Sequence, residues 1–289
     1  MDPMSRIEKS LTAALAHADK PGAPPRLAAA MRHAVFPRGA RIRPRLCLAV
    51  AAACADDLPA VTDSAAASIE LLHCASLVHD DLPCFDNADT RRGRATVHCA
   101  YGEPLAVLAG DALIVLAFQS LAEASVVAPA RLARLVGIVA SSVGVPSGIC
   151  AGQAWECEPD ADLAQYQQQK TGALFAAATM AGAAAAGAEP TVWRALGMRL
   201  GEAFQIADDI RDATADSLSL GKPVGKDAAL GRPSAVSRYG LDGAIALLED
   251  LAAHAVAAVP ACPGAVELRS HIFTETRRLL PAELSRHAA

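Results

Sequence analysis

The sequence predicts an all-α fold, a single-domain bundle of about ten or more helices spanning 1–289. Three observations carry that expectation. Apolar residues recur at helical spacing along the chain, as in Ile7, Leu11 and Leu15 and again in Leu27, Met31 and Val35. Nothing reads as a series of alternating strands. The composition is 53% hydrophobic and 20% charged over 289 residues, with Ala, Leu and Val dominant, which suits helix and ample core.

The two apolar stripes define the first two helices, with the Pro/Gly-rich loop at 17–25 between them. After the loop FPRGAR (36–41), the run PRLCLAVAAACA (44–55) begins with a proline, which the first helical turn tolerates. The next long helix should span about 61–82 and stop near Pro83. Further helices are expected near 104–125, 129–143, 160–187, 190–213, 241–258 and 264–286. Loops are marked by NADTRRGR (87–94) and LGKPVGKDAALGRP (220–233). The uncharged stretch 172–188 is mostly Ala and Gly, too weakly apolar for a spanning segment, so it reads as a buried helix that neighbours approach closely. No transmembrane segment and no signal peptide is expected, and the tail carries no prenylation signal.

Composition also excludes partners. A net charge of −5 and 4% aromatic residues argue against nucleic acid. The eight cysteines form no CxxC pair and several lie in apolar stretches, which reads as buried free thiols in a reducing cytoplasm.

The chemistry concentrates in two places. LVHDDLPCFDNADTRRGR (77–94) sets Asp80, Asp81 and Asp86 ahead of Arg91, Arg92 and Arg94. FQIADDIRD (204–212) sets Asp208, Asp209 and Asp212 ahead of the basic loop with Lys222, Lys226 and Arg232. Asp208 and Asp212 stand four apart, share a helix face and can meet one ion. On a continuous helix Asp86 would lie about 120° from Asp80; Pro83 ends the helix and lets the loop return it. Each cluster follows an apolar helix and precedes a basic loop, which suggests two facing walls of one cavity. Hard oxygen donors without His or Cys partners favour Mg²⁺, which is held by a few carboxylates plus substrate phosphate. Metal bridging carboxylate to diphosphate explains both signs of charge together. Lys170 precedes the charge-free helix, as a snorkelling end residue or an anion contact. A histidine such as His73 or His79 on an apolar helix is, by itself, more often a packed core residue than a ligand.

These motifs resemble the short-chain trans-prenyl diphosphate synthases, and more narrowly the bacterial geranylgeranyl diphosphate synthases of carotenoid pathways. The pieces that carry the resemblance are FPRGARIRP, ELLHCASLVHDDLPCFDNADTRRG, GEPLAVLAGDAL, GICAGQAWE, KTGALF, FQIADDIRD and GKPVGKD. The resemblance implies helices around a deep central cavity, the isoprenoid synthase fold, and a homodimer. It implies that the six aspartates hold Mg²⁺ on an allylic diphosphate, with Lys170 among the catalytic groups. Arg91, Lys170, Lys222 and Lys226 would contact that diphosphate. Arg43, His73 and Arg92 would receive isopentenyl diphosphate, and Thr171 and Gln205 would lie near the reacting carbons. One departure stands out: Ala40 occupies the position of a family lysine for isopentenyl diphosphate. Either Arg38 or Arg41 compensates, or affinity for that substrate is lower.

The implied reaction condenses isopentenyl diphosphate head to tail with an allylic diphosphate. Ala75 and Ser76, one turn before the aspartates, are expected at the floor of the cavity. Ala75 stands where farnesyl-making relatives carry an aromatic ring, which implies a twenty-carbon product, geranylgeranyl diphosphate. The alternatives are a farnesyl diphosphate synthase, a helical metal phosphohydrolase, a terpene cyclase and a non-catalytic partner subunit. A phosphohydrolase leaves the second wall unexplained, a cyclase needs an Asn/Ser/Glu motif not apparent after residue 200, and partner subunits tend to lose an acidic cluster.

Overall fold

A computed structural model describes residues 2–36, 39–158, 168–214 and 234–279. Among these are twelve α-helices and one two-stranded hairpin. The helices are α1 (Pro3–Leu15), α2 (Pro25–Val35), α3 (Ile42–Ala53), α4 (Pro59–Asp80), α5 (Val97–Tyr101) and α6 (Glu103–Ala124). They continue with α7 (Pro129–Val143), α8 (Ile149–Ala154), α9 (Ala173–Ala185), α10 (Arg194–Thr214), α11 (Ala235–Ala257) and α12 (Ala265–Arg277). Strands β1 (Thr90–Arg91) and β2 (Arg94–Ala95) pair antiparallel between α4 and α5. The all-α expectation holds. The short α5, α8 and the hairpin are additions, too brief for a periodic signal.

The helix starts follow local chemistry. Proline opens α1, α2, α4 and α7, where its missing N–H would have had no intrahelical acceptor. Asp2 and Ser234 cap α1 and α11 by accepting from Ser5 and Ser237 backbone N–H groups. Gly240, at φ 72, breaks α11 near its start, so the stretch expected to begin at 241 is the second piece of a kinked helix.

Helices α4 and α9 are covered on nearly all sides and form the centre. The small residues of α9 let its neighbours come close. A Cβ at Gly182 would stand 2.3 Å from the Cys47 carbonyl oxygen of α3, and one at Gly197 would stand 2.4 Å from the Ala176 Cα. Close backbone approach here sets α10, and its aspartates, against α9 and the turn before it.

Helix α6 differs. It is 22 residues long, with a mean hydropathy of 2.0 over its most apolar stretch, of which 39% is buried. By length and composition it could cross a membrane, which the sequence reading of 172–188 did not anticipate. One side, with Ala106, Ala109, Leu113 and Leu116, packs inward along α4. Val107, Leu108 and Val115 are exposed on the other.

The eight thiols are free, but only Cys47 and Cys74 are buried, while Cys84, Cys99, Cys150 and Cys157 are exposed. The expectation of buried thiols is corrected for these four, which lie in the loop after α4, at α5 and around α8, outside the packed helix faces.

Gly197→Val should lower stability by ~1–3 kcal/mol through overpacking. Gly137, exposed on α7 with nothing within 4 Å of its would-be Cβ, should gain ~0.5–1 kcal/mol as Ala. Urea denaturation midpoints of the two variants check both signs.

Candidate active site

Helix α4 ends at Asp80, and the chain folds back on itself. The Asp86 N–H donates to the Asp80 carbonyl at 2.9 Å, and the Ala88 N–H to the Asp81 carbonyl at 3.1 Å. Asn87 takes a left-handed conformation at φ 45 to make the return. This loop turns Asp86 back toward the helix end, and Asp80 and Asp86 line one cavity. Asp208, Asp209 and Asp212 of α10 line the same cavity. Its volume is about 680 Å³, within the usual range for ligand pockets of about 300–1,000 Å³. The wall also includes Leu72, Ala75, Ser76, Ile114, Val143 and Leu174.

Asp81 is not among the lining residues. It is 3% exposed, and Arg91 holds both its oxygens: Nε donates to each at 2.8 Å and Nη2 to Oδ1 at 2.6 Å. Arg91 itself lines the cavity from β1. On the other wall, Asp209 is 7% exposed and accepts from the Gln205 amide at 3.0 Å and from the Ala235 N–H at 2.7 Å. It therefore ties α10 to the start of α11. Asp208 accepts from Arg211 at 3.0 Å, a cation of the same helix that the sequence reading passed over.

Lys170 lies in a π-helical turn, Gln168–Gly172, just before α9. Its Nζ stands 3.3 Å from Asp80 Oδ1 and 2.9 Å from Glu156 Oε1. Thr171 donates its hydroxyl to Gln205 Oε1 at 3.0 Å, and Gln205 in turn donates to Asp209. Burial pushes the Asp80 carboxyl above the usual carboxylate range, an effect the Lys170 ammonium partly offsets. Burial likewise raises Asp81 against the pull of Arg91.

A second, cationic region adjoins the first. Arg43 lies 3.4 Å from His73 Nε2 and packs 4.4 Å over the Phe175 ring. Burial pushes Arg43 down to about 10. Arg92 is exposed on the hairpin, and its guanidinium sits where a Cβ at Gly39 would come within 2.6 Å of Cζ. Arg41 is committed elsewhere: its side chain is 0% exposed and donates to Glu8 at 3.0 Å, Glu70 at 2.7 Å and the Val35 carbonyl at 2.9 Å. It does not stand in for the lysine missing at Ala40. Arg38, Lys222, Lys226 and Arg232 lie outside the described residues.

The donor set suits a hard divalent cation. Among the described residues no three His, Cys, Asp or Glu side chains are grouped closely enough to hold an ion by themselves. Carboxylates on two walls, each short of a full set, fit Mg²⁺, which completes its shell with water and substrate phosphate.

Helices around a largely apolar cavity lined by carboxylates from α4, its following loop and α10 match an isoprenoid-synthase architecture. Residues 24–261 match the polyprenyl synthetase family, and the chain belongs to it. It is 52% identical to the geranylgeranyl diphosphate synthase of Cereibacter sphaeroides, over 97% of this chain and 97% of that protein. It is also 52% identical to the Rhodobacter capsulatus geranylgeranyl diphosphate synthase, over 97% and 98% of the two chains. A geranyltransferase from Helicobacter pylori, in complex with magnesium and isoprenyl diphosphate, superposes with a TM-score of 0.80 at 29% identity, over 96% of this chain and 98% of that one. Geranylgeranyl pyrophosphate synthetase from Pyrococcus horikoshii gives 0.80 at 27% identity, over 96% and 95%.

Burial, and then the Arg43 and Arg92 guanidinium groups, hold His73 well below the usual histidine value of 6.5. The folded protein keeps it neutral while the unfolded chain binds a proton below 6.5. Stability should therefore fall with falling pH, by up to ~1.4 kcal/mol per unit, until the folded-state value is reached. His73→Gln should flatten this acid limb in pH-dependent urea denaturation; parallel limbs in the two proteins would remove His73 as its source.

Proposed function

We propose that the chain is a prenyltransferase that condenses isopentenyl diphosphate head to tail with allylic diphosphates and releases geranylgeranyl diphosphate. The observation that carries this reading is the meeting of acidic walls from α4 and α10 over one apolar cavity. Its relatives of 52% identity support the twenty-carbon product, as does Ala75, whose methyl leaves the wall beneath the aspartates open.

Asp80, Asp86, Asp208 and Asp212 would hold Mg²⁺ from the two walls, with Asp209 beside them in the lining and Asp81 behind it. The metal supplies Lewis-acid stabilisation of the departing diphosphate. Lys170 and Arg91 add fixed positive charge at the cavity mouth, where negative charge develops as the C–O bond breaks. The allylic carbocation forms against Leu, Ala and Phe side chains that exclude water. Because the Thr171 hydroxyl donates a hydrogen bond to Gln205 Oε1, and the Gln205 amide donates one to Asp209, the Thr171 oxygen keeps its lone pairs for the cation. The cationic region of Arg43, His73 and Arg92 receives isopentenyl diphosphate. Its double bond attacks the cation, and a proton is lost to the released diphosphate. No side-chain nucleophile takes part.

The protein acts as a homodimer, with the exposed apolar face of α6 as the surface that a second copy covers. Free thiols, half of them exposed, suit a reducing cytoplasm.

Incubation with isopentenyl diphosphate and each allylic starter should release diphosphate only with Mg²⁺ and yield a twenty-carbon product. Ala75→Phe should shorten it, read by chromatography of the dephosphorylated alcohols; unchanged length would move the floor elsewhere. Light scattering should give twice the monomer mass for the wild type. Val115→Glu, which introduces charge into the α6 face, should shift the mass toward that of one chain.

A further inference from the structure

Glu156 entered the sequence reading only as the last letter of GICAGQAWE. Its surroundings give it a role. Oε1 is 2.9 Å from Lys170 Nζ, and Oε2 accepts from the Gln153 amide at 2.6 Å. Lys170 and Gln153 line the cavity, whereas Glu156 does not. The carboxylate therefore stands behind the lysine, with 18% of its side chain exposed against 20% for Lys170. Lys170 is shared between a carboxylate facing the cavity, Asp80 at 3.3 Å, and one outside its lining.

We infer that Glu156 is a positioning residue that holds the Lys170 ammonium toward the diphosphate when Asp80 turns to the metal. The inference rests on the reading of Asp80 and Lys170 given above. An ammonium has three donors. Glu156 takes one at 2.9 Å, and Asp80 stands 3.3 Å from the same nitrogen. A charged partner bound by an amide, as Glu156 is by Gln153, is itself fixed in place. Without it, Lys170 is drawn toward Asp80, at 3.3 Å, and competes with the metal for that carboxylate. Both the metal and the anion then bind more weakly, although Glu156 touches neither.

The π-helical turn that carries Lys170 agrees with this. Such turns cluster at functional sites because they redirect a side chain without ending the helix. Here the turn points Lys170 at two carboxylates and puts Thr171 against Gln205 in the next position.

The test is calorimetric binding of inorganic pyrophosphate to the full-length protein in excess Mg²⁺, which needs no turnover. Glu156→Gln should weaken binding about tenfold, the size of one lost charge-assisted hydrogen bond. It should raise KM for the allylic substrate by a similar factor and leave KM for isopentenyl diphosphate within about twofold. Glu156→Asp, which keeps the charge, should recover most of the loss, with melting temperatures close to wild type for both variants. Equal pyrophosphate affinity in wild type and Glu156→Gln would overturn the inference while leaving the prenyl transfer reading intact. Equal losses in both variants, tracking lowered melting temperatures, would reduce Glu156 to a scaffold residue and overturn it too. A wild-type protein that does not bind magnesium pyrophosphate would remove the underlying reading and this inference with it.

Discussion

Carboxylates set at the rim of an apolar cavity are the constraint on which the rest of this molecule depends. An ionised carboxylate taken out of water must find compensating charge or give up its own. Asp80 shows the tension directly, since burial raises its pKa despite an ammonium at 3.3 Å. The protein answers with cations of its own: Lys170 beside Asp80, Arg91 on Asp81 and Arg211 on Asp208. Such pairing is weak as a source of stability, because desolvation offsets much of the Coulomb gain. It makes better sense as preorganisation, with charges placed for a ligand that carries both a metal and an anion.

The fold serves this arrangement through backbone proximity. Gly197 and Gly201 let α10 lie against α9 and the turn before it, closer than any side chain would allow. That contact brings Gln205 within hydrogen-bonding reach of Thr171 and sets Asp209 where it can accept from the first turn of α11. A chain of hydrogen bonds then runs from a helix start to the cavity wall. Each member has one orientation compatible with its neighbours, so the direction of the Thr171 dipole is set by a carboxylate it never touches.

Much of this was legible in the sequence, and the exceptions have physical causes. Helical periodicity located the long helices because an amphipathic or fully apolar pattern needs only local information; α7 was expected at 129–143 and runs Pro129–Val143. The two aspartate clusters were visible because like charges at helical spacing oppose local stability and so point to a ligand. Partnerships between distant residues were not. Arg41 reads like Arg43 on paper, yet it lies buried between Glu8 and Glu70, twenty-nine positions away in the latter case. Glu156 closes a short motif in the sequence, and its pairing with Lys170, fourteen positions on, is set by the fold. The lack of charge drew attention to 172–188 rather than to α6, whose hydropathy is high; sequence alone does not separate its inner side, against α4, from the outer side that stays apolar and exposed.

Arg43 and His73 share the cavity with the aspartates, and Arg92 lies outside its lining. A diphosphate that approaches the aspartates needs metal ions to reverse the sign of the surface it meets. In the proposed site, one bound at Arg43 and Arg92 would not, because guanidinium groups would meet it directly, with Arg43 stacked on Phe175 and beside a neutral His73. In the proposed reaction the two substrates share the same charged head and differ mainly in whether that head must leave. Metal belongs where the bond breaks, and bare arginine suffices where the diphosphate stays attached. Keeping His73 neutral fits this division, since it lets the imidazole accept from Arg43 rather than repel it, and the cation pair that protonation would create is avoided.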